Sequence, residues 1–184
     1  RPAIVLLAAH LVQSDLEVAL LAAAGVEMLH TATLIHDDIV DNASVRRGIP
    51  TLNAQLPVAA AVLAGDIAFA QAAKLIARTG APLLIERFST TLETICRGEL
   101  DQMFRSAGCL PSQETYFGRI FAKTASLFAL CAQIGPLLAR SSPECIEQAQ
   151  QFGQLVGEAF QITDDVLDLL GDSRQTGKPV GVDL

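Results

Sequence analysis

Three acids in the pattern Asp-Asp-x-x-Asp occur twice in this chain, as Asp37-Asp38-Ile39-Val40-Asp41 and Asp164-Asp165-Val166-Leu167-Asp168, each near the end of a long apolar segment. In a helix, residues i and i+4 share a face. Asp37 therefore stands with Asp41, and Asp164 with Asp168, while Asp38 and Asp165 lie about 100° round. Stacked carboxylates repel one another, and the negative end of a helix dipole adds to the cost. A chain that keeps this arrangement twice must be helical at both places and must bring positive charge to both. Hard divalent cations can do so, because Mg²⁺ takes one or two carboxylates and completes its shell with water and phosphate oxygens. For either copy alone, a solvated acidic helix end remains an equal alternative. Two copies, each preceded by uncharged residues (31–35 and 160–163), favour a metal-lined cavity over open surface.

The rest of the chain supports a helical reading. Apolar residues recur at helical spacing through most of its 184 residues, and no useful stretch alternates with period two. Ala and Leu dominate, and both favour helix. The spacing predicts helices over 3–12, from the Ser14/Glu17 capping box to about 41, over 57–78, over 83–105, from the Ser112 cap to about 139, and from Ser142-Pro143 to about 170. A kink is expected at Gly135-Pro136. Residues 42–56 and 171–184 read as loops, since both are rich in glycine, proline or asparagine. No linker-like shift divides the chain, so 1–184 is expected to be one domain.

Composition removes several classes of function. With 13 basic against 20 acidic residues, the net charge of −7 leaves no basic field for nucleic acid. Cys96, Cys109, Cys131 and Cys145 form no CxxC pair and are expected to be reduced thiols. The longest apolar run, 125–139, contains Gln133 and Pro136 and is expected to be too short to span a bilayer. No signal-peptide pattern opens the chain. A cytoplasmic protein with at most peripheral membrane contact is expected.

Anionic ligands then need placed cations. Arg46-Arg47-Gly48 follows the first acidic cluster, Lys123-Thr124 lies in an apolar helix, and Lys178 follows the second cluster by ten residues. Arg1 and His30 are further candidates. Taken singly, each is more often a surface cation or, for His30, a satisfied core histidine, and their coincidence with the acid pairs is what raises them. Arginine suits bidentate phosphate contact, and lysine supplies a point charge.

These residues together resemble the trans-isoprenyl diphosphate (polyprenyl) synthases, in particular those making medium and long chains. The resemblance is carried in order by Arg1-Pro2, His30 to Asp41, Arg46-Arg47-Gly48, Leu63-Ala64-Gly65-Asp66, Lys123-Thr124-Ala125, Phe160-Gln161-Ile162-Thr163 with the second acidic motif, and Gly177-Lys178-Pro179. It implies an all-α antiparallel helix bundle around a deep central cavity, usually a homodimer. Chains of this family are usually longer at both ends, so this one is expected to be a fragment. The resemblance further implies three Mg²⁺ ions carried by Asp37, Asp41 and Asp164, with Asp38, Asp165 and Asp168 in support. Arg46, Lys123, Thr124, Gln161 and Lys178 would hold an allylic diphosphate, Lys123 also serving catalysis. Arg1, His30 and Arg47 would hold isopentenyl diphosphate. The implied reaction transfers the allylic prenyl group to isopentenyl diphosphate by ionisation, condensation and elimination.

Helical geometry extends this to product length. Thr33, Ala32 and Met28 lie four, five and nine residues before Asp37, on earlier turns of the same helix. An aromatic residue at the Ala32 position resembles the floor that stops short products in this family. Alanine there is expected to leave the turn open and permit a product beyond fifteen carbons, with Met28 narrowing the next level.

Other classes fit less well. A class I terpene cyclase normally carries an Asn/Asp, Ser/Thr and Glu motif in place of a second Asp-Asp-x-x-Asp. Non-catalytic partner subunits of prenyl synthases often lose an acidic motif, and both are kept here. A ferritin-like centre needs two Glu-x-x-His pairs, and only Glu27 with His30 fits.

Overall fold

The computed structural model describes residues 1–104 and 112–170. Helices dominate: α1 (Pro2–Leu11), α2 (Leu16–Val40), α3 (Leu52–Gln55), α4 (Val58–Ala77), α5 (Pro82–Met103), α6 (Gln113–Ile120), a π-helical segment (Phe121–Ala125), α7 (Ser126–Leu138) and α8 (Pro143–Leu170). The all-α expectation holds. Prolines open α1 and α5, where a missing N–H costs nothing. The Ser112 hydroxyl accepts from the Thr115 amide at 3.1 Å, and Ser142 accepts from the Cys145 amide at 3.3 Å.

Three local expectations are corrected. Asp15, not Ser14, caps α2, accepting from the amides of Glu17 at 2.9 Å and Val18 at 3.2 Å. A carboxylate is the better acceptor at the positive end of a helix, and the Ser14 hydroxyl turns back to the Ala9 carbonyl. Residues 42–56 are more than a loop. Val45 pairs with Pro50 and Arg46 with Ile49 in a two-stranded ribbon, β1 (Val45–Arg46) and β2 (Ile49–Pro50), followed by α3. Arg47 and Gly48 both have positive φ, the signature of a tight primed hairpin turn, and strands this short cannot show alternation. Finally, the single helix expected from Ser112 to about 139 is interrupted by the π-helical segment, and Pro136 lies inside α7.

Small residues set the packing. α2 runs antiparallel to α4, with Gly25 against Ala72 and Ile76, and Gly65 against His36. α7 forms the buried centre, flanked by α1, α5 and α8. A Cβ on Gly135 would run into the backbone of α1, one on Gly153 into α7, and one on Gly157 into Ala125 at the end of the π-helical segment. Val26, Leu29, Ile76, Leu84, Leu130 and Ile134 fill the core between these helices. α8 docks through its glycines, which leaves Phe152, Leu155, Phe160 and Leu170 exposed.

The expectation about membrane-length segments is also corrected. Leu16–Val40, Val58–Ala77 and the continuous Gln113–Leu138 are each long and apolar enough to cross a bilayer by length and composition. The last has 83% of its apolar window inside the protein. Its hydrophobicity is therefore that of a central helix, and periodicity alone does not separate the two cases.

Candidate functional site

The end of α2 is built to present charge. Its last carbonyls are taken up by the returning loop: the Asp38 carbonyl accepts from the Ala43 amide at 2.9 Å and from Asn53 Nδ2 at 3.2 Å. The ribbon then swings Arg46 back, and its Nε donates to Asp38 Oδ1 at 2.7 Å. Asp38 is buried, so this pair braces the loop against the helix. Asp37 is half-buried and Asp41 is exposed. Burial, then Glu99, raises the Asp37 carboxyl to about 6, with Asp41 adding to the rise and Lys123 and Arg46 opposing it. Glu99, on α5, lies 3.6 Å from Lys123 Nζ.

The second motif is tied to the same group of residues. Thr124 Oγ1 donates to Gln161 Oε1 at 2.6 Å, and Gln161 Nε2 donates to Asp165 Oδ1 at 2.8 Å. Tyr116 Oη donates to the other oxygen, Oδ2, at 2.6 Å. Asp164 is exposed and lines an open groove of about 310 Å³ along α8 with Val156, Ala159, Phe160, Thr163 and Leu167. Among the described residues, this groove is open along one helix and not an enclosed cavity. Thr124 on the π-helical segment thus joins α8, and its neighbour Lys123 joins α5 beside Asp37. Both acidic motifs accordingly stand at one end of the bundle.

Arg1 and His30 also meet. Arg1 Nη1 lies 2.9 Å from His30 Nε2. A guanidinium can only donate, so Nε2 accepts and the proton of the neutral ring sits on Nδ1. Burial, then Arg1, lowers His30 to about 4, and burial also lowers Arg1. Arg1 rests over the Phe128 ring at 5.1 Å, and its Nε is buried without a partner. An unanswered buried donor suits an anionic ligand. Arg47 is exposed on the hairpin turn and contributes to the positive field at both groups. Lys178 lies outside the described residues.

The product-length positions Met28, Ala32 and Thr33 all lie on α2. Gly25, Leu29, Ala32 and His36 form one helical stripe, which meets α4 at both ends. Ala32 is fully buried on that stripe. Met28 is half-buried against the core, and Thr33 Oγ1 donates to the His30 carbonyl at 2.8 Å.

Sequence reasoning missed Glu99 and Tyr116. Glu99 is one of several acids on α5, and nothing in its spacing marks it. Tyr116 is the chain's single tyrosine, a singularity that could have drawn attention to it. Among the described residues, no three His, Cys, Asp or Glu side chains converge at metal-ligand distance. The donor set nonetheless fits Mg²⁺, whose shell needs few carboxylates. Asp37, Asp41 and Glu99 crowd negative charge that burial penalises, and a cation would relieve it.

Comparison with known proteins decides the family. The polyprenyl synthetase profile matches residues 1–184. The chain belongs to the polyprenyl synthetase family. Within it, the chain is 40% identical over 184 residues to heptaprenyl diphosphate synthase component 2 of Geobacillus stearothermophilus, covering 100% of this chain and 58% of that one. It is 39% identical over 184 residues to the octaprenyl diphosphate synthase of Escherichia coli, covering 100% and 57%. The fold matches the polyprenyl synthase of Caulobacter crescentus, solved with calcium and isoprenyl diphosphate, with a TM-score of 0.92 and 37% identity over 99% of this chain and 56% of that one. This polyprenyl synthetase chain spans somewhat more than half the length of these relatives.

Proposed function

We propose that this chain carries the diphosphate-handling end of a polyprenyl diphosphate synthase, which condenses an allylic diphosphate with isopentenyl diphosphate head to tail. The observation that carries the reading is the continuous polar line from Asp165 through Gln161 to Thr124, beside Lys123, Glu99 and Asp37. It brings both acidic motifs to one place.

Asp37, Asp41 and Asp164 hold Mg²⁺ in this proposal, with three ions as the expected number. Bound Mg²⁺ supplies charge neutralisation, so that the allylic C–O bond ionises when the diphosphate departs. Lys123 adds a positive point charge beside that diphosphate, and Thr124 and Gln161 fix the polar wall next to it. Arg46 and Lys178 complete the allylic grip, with Arg46 anchored through Asp38. Arg1, neutral His30 and Arg47 hold isopentenyl diphosphate, His30 through Nδ1–H. The isopentenyl double bond forms the new C–C bond, and the released diphosphate takes the proton. No protein nucleophile is needed. A terpene cyclase or a catalytically silent subunit is not favoured by relatives named as synthases.

A product longer than fifteen carbons is proposed, in keeping with relatives named for heptaprenyl, octaprenyl and nonaprenyl diphosphate. A homodimer is the proposed assembly. The Geobacillus relative is named as one component of a synthase, so light scattering of the purified protein, with and without an added second subunit, distinguishes the two assemblies. The activity itself is tested with labelled isopentenyl diphosphate, several allylic diphosphates and Mg²⁺. Condensation that is abolished by Asp37→Ala is expected. A folded sample that extends no starter contradicts the proposal.

A further inference from the structure

Asp165 has a different environment from Asp164, its neighbour in sequence. Both of its oxygens receive donors, Oδ1 from Gln161 and Oδ2 from Tyr116, whereas Asp164 faces the open groove. The Tyr116 bond, at 2.6 Å, joins residues 49 positions apart and ties α6 to α8. The ring is itself fixed, with the Arg119 guanidinium 5.6 Å over its centroid and the Phe117 ring edge-on at 5.7 Å. Hydroxyl donors to a carboxylate make short, strong bonds, and a ring held on both sides gives such a bond one direction.

The π-helical segment makes this arrangement possible. Thr124 follows Tyr116 by eight residues, and in a regular α-helix the two would point about 80° apart. The wider turn at Phe121–Ala125 removes most of that offset. Tyr116 and Thr124 then both reach α8, at Asp165 and at Gln161 one turn earlier. Gln161 has one orientation that serves both neighbours, its oxygen toward Thr124 and its nitrogen toward Asp165. The line Thr124–Gln161–Asp165–Tyr116 is thus closed at one end by the tyrosine.

We propose that Tyr116 is a positioning residue for the second acidic motif: its hydroxyl holds Asp165 as an acceptor within this line, so that Asp164 is the acid of this pair that faces the metal–diphosphate. This role rests on the synthase reading above. Without the hydroxyl, Asp165 Oδ2 has no donor among the described residues, and the carboxylate is held through Oδ1 alone, which leaves it looser beside Asp164. Partners that orient ligands from behind typically contribute about 10-fold to 100-fold in metal affinity or activity.

Tyr116→Phe tests the role, since it removes one oxygen and keeps the ring. Calorimetry would follow Mg²⁺-dependent binding of inorganic pyrophosphate, and a condensation assay would give the Mg²⁺ concentration for half-activation and the KM for isopentenyl diphosphate. A roughly 10-fold weaker Mg²⁺ response is expected, with KM for isopentenyl diphosphate unchanged, because Arg1, His30 and Arg47 are not on this line. Saturating Mg²⁺ should restore most of kcat. A purely structural tyrosine would instead lower the melting temperature and kcat with no shift in Mg²⁺ response. Asp165→Asn weakens the same bond from the other side and should reproduce the shift, which covers the case of a poorly folding Tyr116→Phe. Wild-type Mg²⁺ responses in both variants overturn this role and leave the synthase reading intact. A wild-type protein that neither binds Mg²⁺–pyrophosphate nor condenses overturns both.

Discussion

Asp37 and His30 sit on one helix and are shifted in opposite directions. Burial raises Asp37 from 3.8 to about 6 and lowers His30 from 6.5 to about 4. A raised carboxyl binds its proton more tightly in the folded state, so the Asp37 contribution to stability falls as pH rises from about 4 to about 6 and is constant above. A lowered imidazole does the reverse, and its contribution falls as pH drops from 6.5 to about 4. Each shift converts to about 3–3.5 kcal/mol at 1.36 kcal/mol per unit, and partial solvent access at these half-buried groups reduces that to about 1–2 kcal/mol. The two slopes offset each other in the wild type. Chemical denaturation between pH 4 and 6.5 should therefore show Asp37→Asn losing stability toward acid and His30→Gln losing it toward neutral pH. Parallel curves for all three proteins would refute these environments. Ala32 gives a second prediction at this scale. An aromatic side chain at this fully buried position must displace its neighbours. Ala32→Phe should shorten the product and cost about 1–3 kcal/mol, read by product sizing and thermal melts on the same sample.

The junction of α2 with α4 governs where the first acidic motif stands. His36, next to Asp37, enters the space over Gly65, where a Cβ would collide with its ring. Its Nε2 lies 3.1 Å from the Val62 carbonyl, which can only accept, so Nε2 carries the proton, with Asp66 Oδ1 at 3.6 Å and the Phe69 ring at 5.1 Å. Gly65→Ala should displace the imidazole and cost about 1–3 kcal/mol. Adding His36→Ala should recover part of that loss, so the pair is non-additive in a double-mutant cycle. Full additivity would show that the ring and the glycine do not meet. This junction explains why Gly65-Asp66 belongs with the acidic motif although nearly thirty residues separate them. The long elements were legible because α2, α4, α5 and α8 carry sustained helical spacing and strong punctuation at Pro57, Pro82 and Pro143. The ribbon at Val45–Pro50 and the π-helical segment were not. The first is too short for a period, and the second differs from an α-helix by a backbone register that no residue type announces.

At the scale of the whole molecule, the acidic motifs, Arg46 and Lys123 were legible from residue type and spacing, Thr124 and Gln161 only through the family resemblance, and the structure gathers them at one end of the bundle. Glu99, Tyr116 and the Asp38–Arg46 brace were not, because each depends on which face of a distant helix turns inward. The expected enclosed cavity is likewise not formed by the described residues, which show an open groove beside Asp164 and exposed Phe152, Leu155 and Phe160 along α8. The central claim is that the two motifs act on one shared diphosphate. Its most direct test is calorimetric binding of a non-reactive allylic thiolodiphosphate in Mg²⁺ to the wild type, Asp37→Ala, Asp164→Ala and the double variant. If the motifs share one ligand, either single change should weaken binding by about 10-fold or more, and the double change should weaken it by clearly less than the product of the two. Losses that multiply independently, or an Asp164→Ala variant that binds like wild type, would contradict the claim.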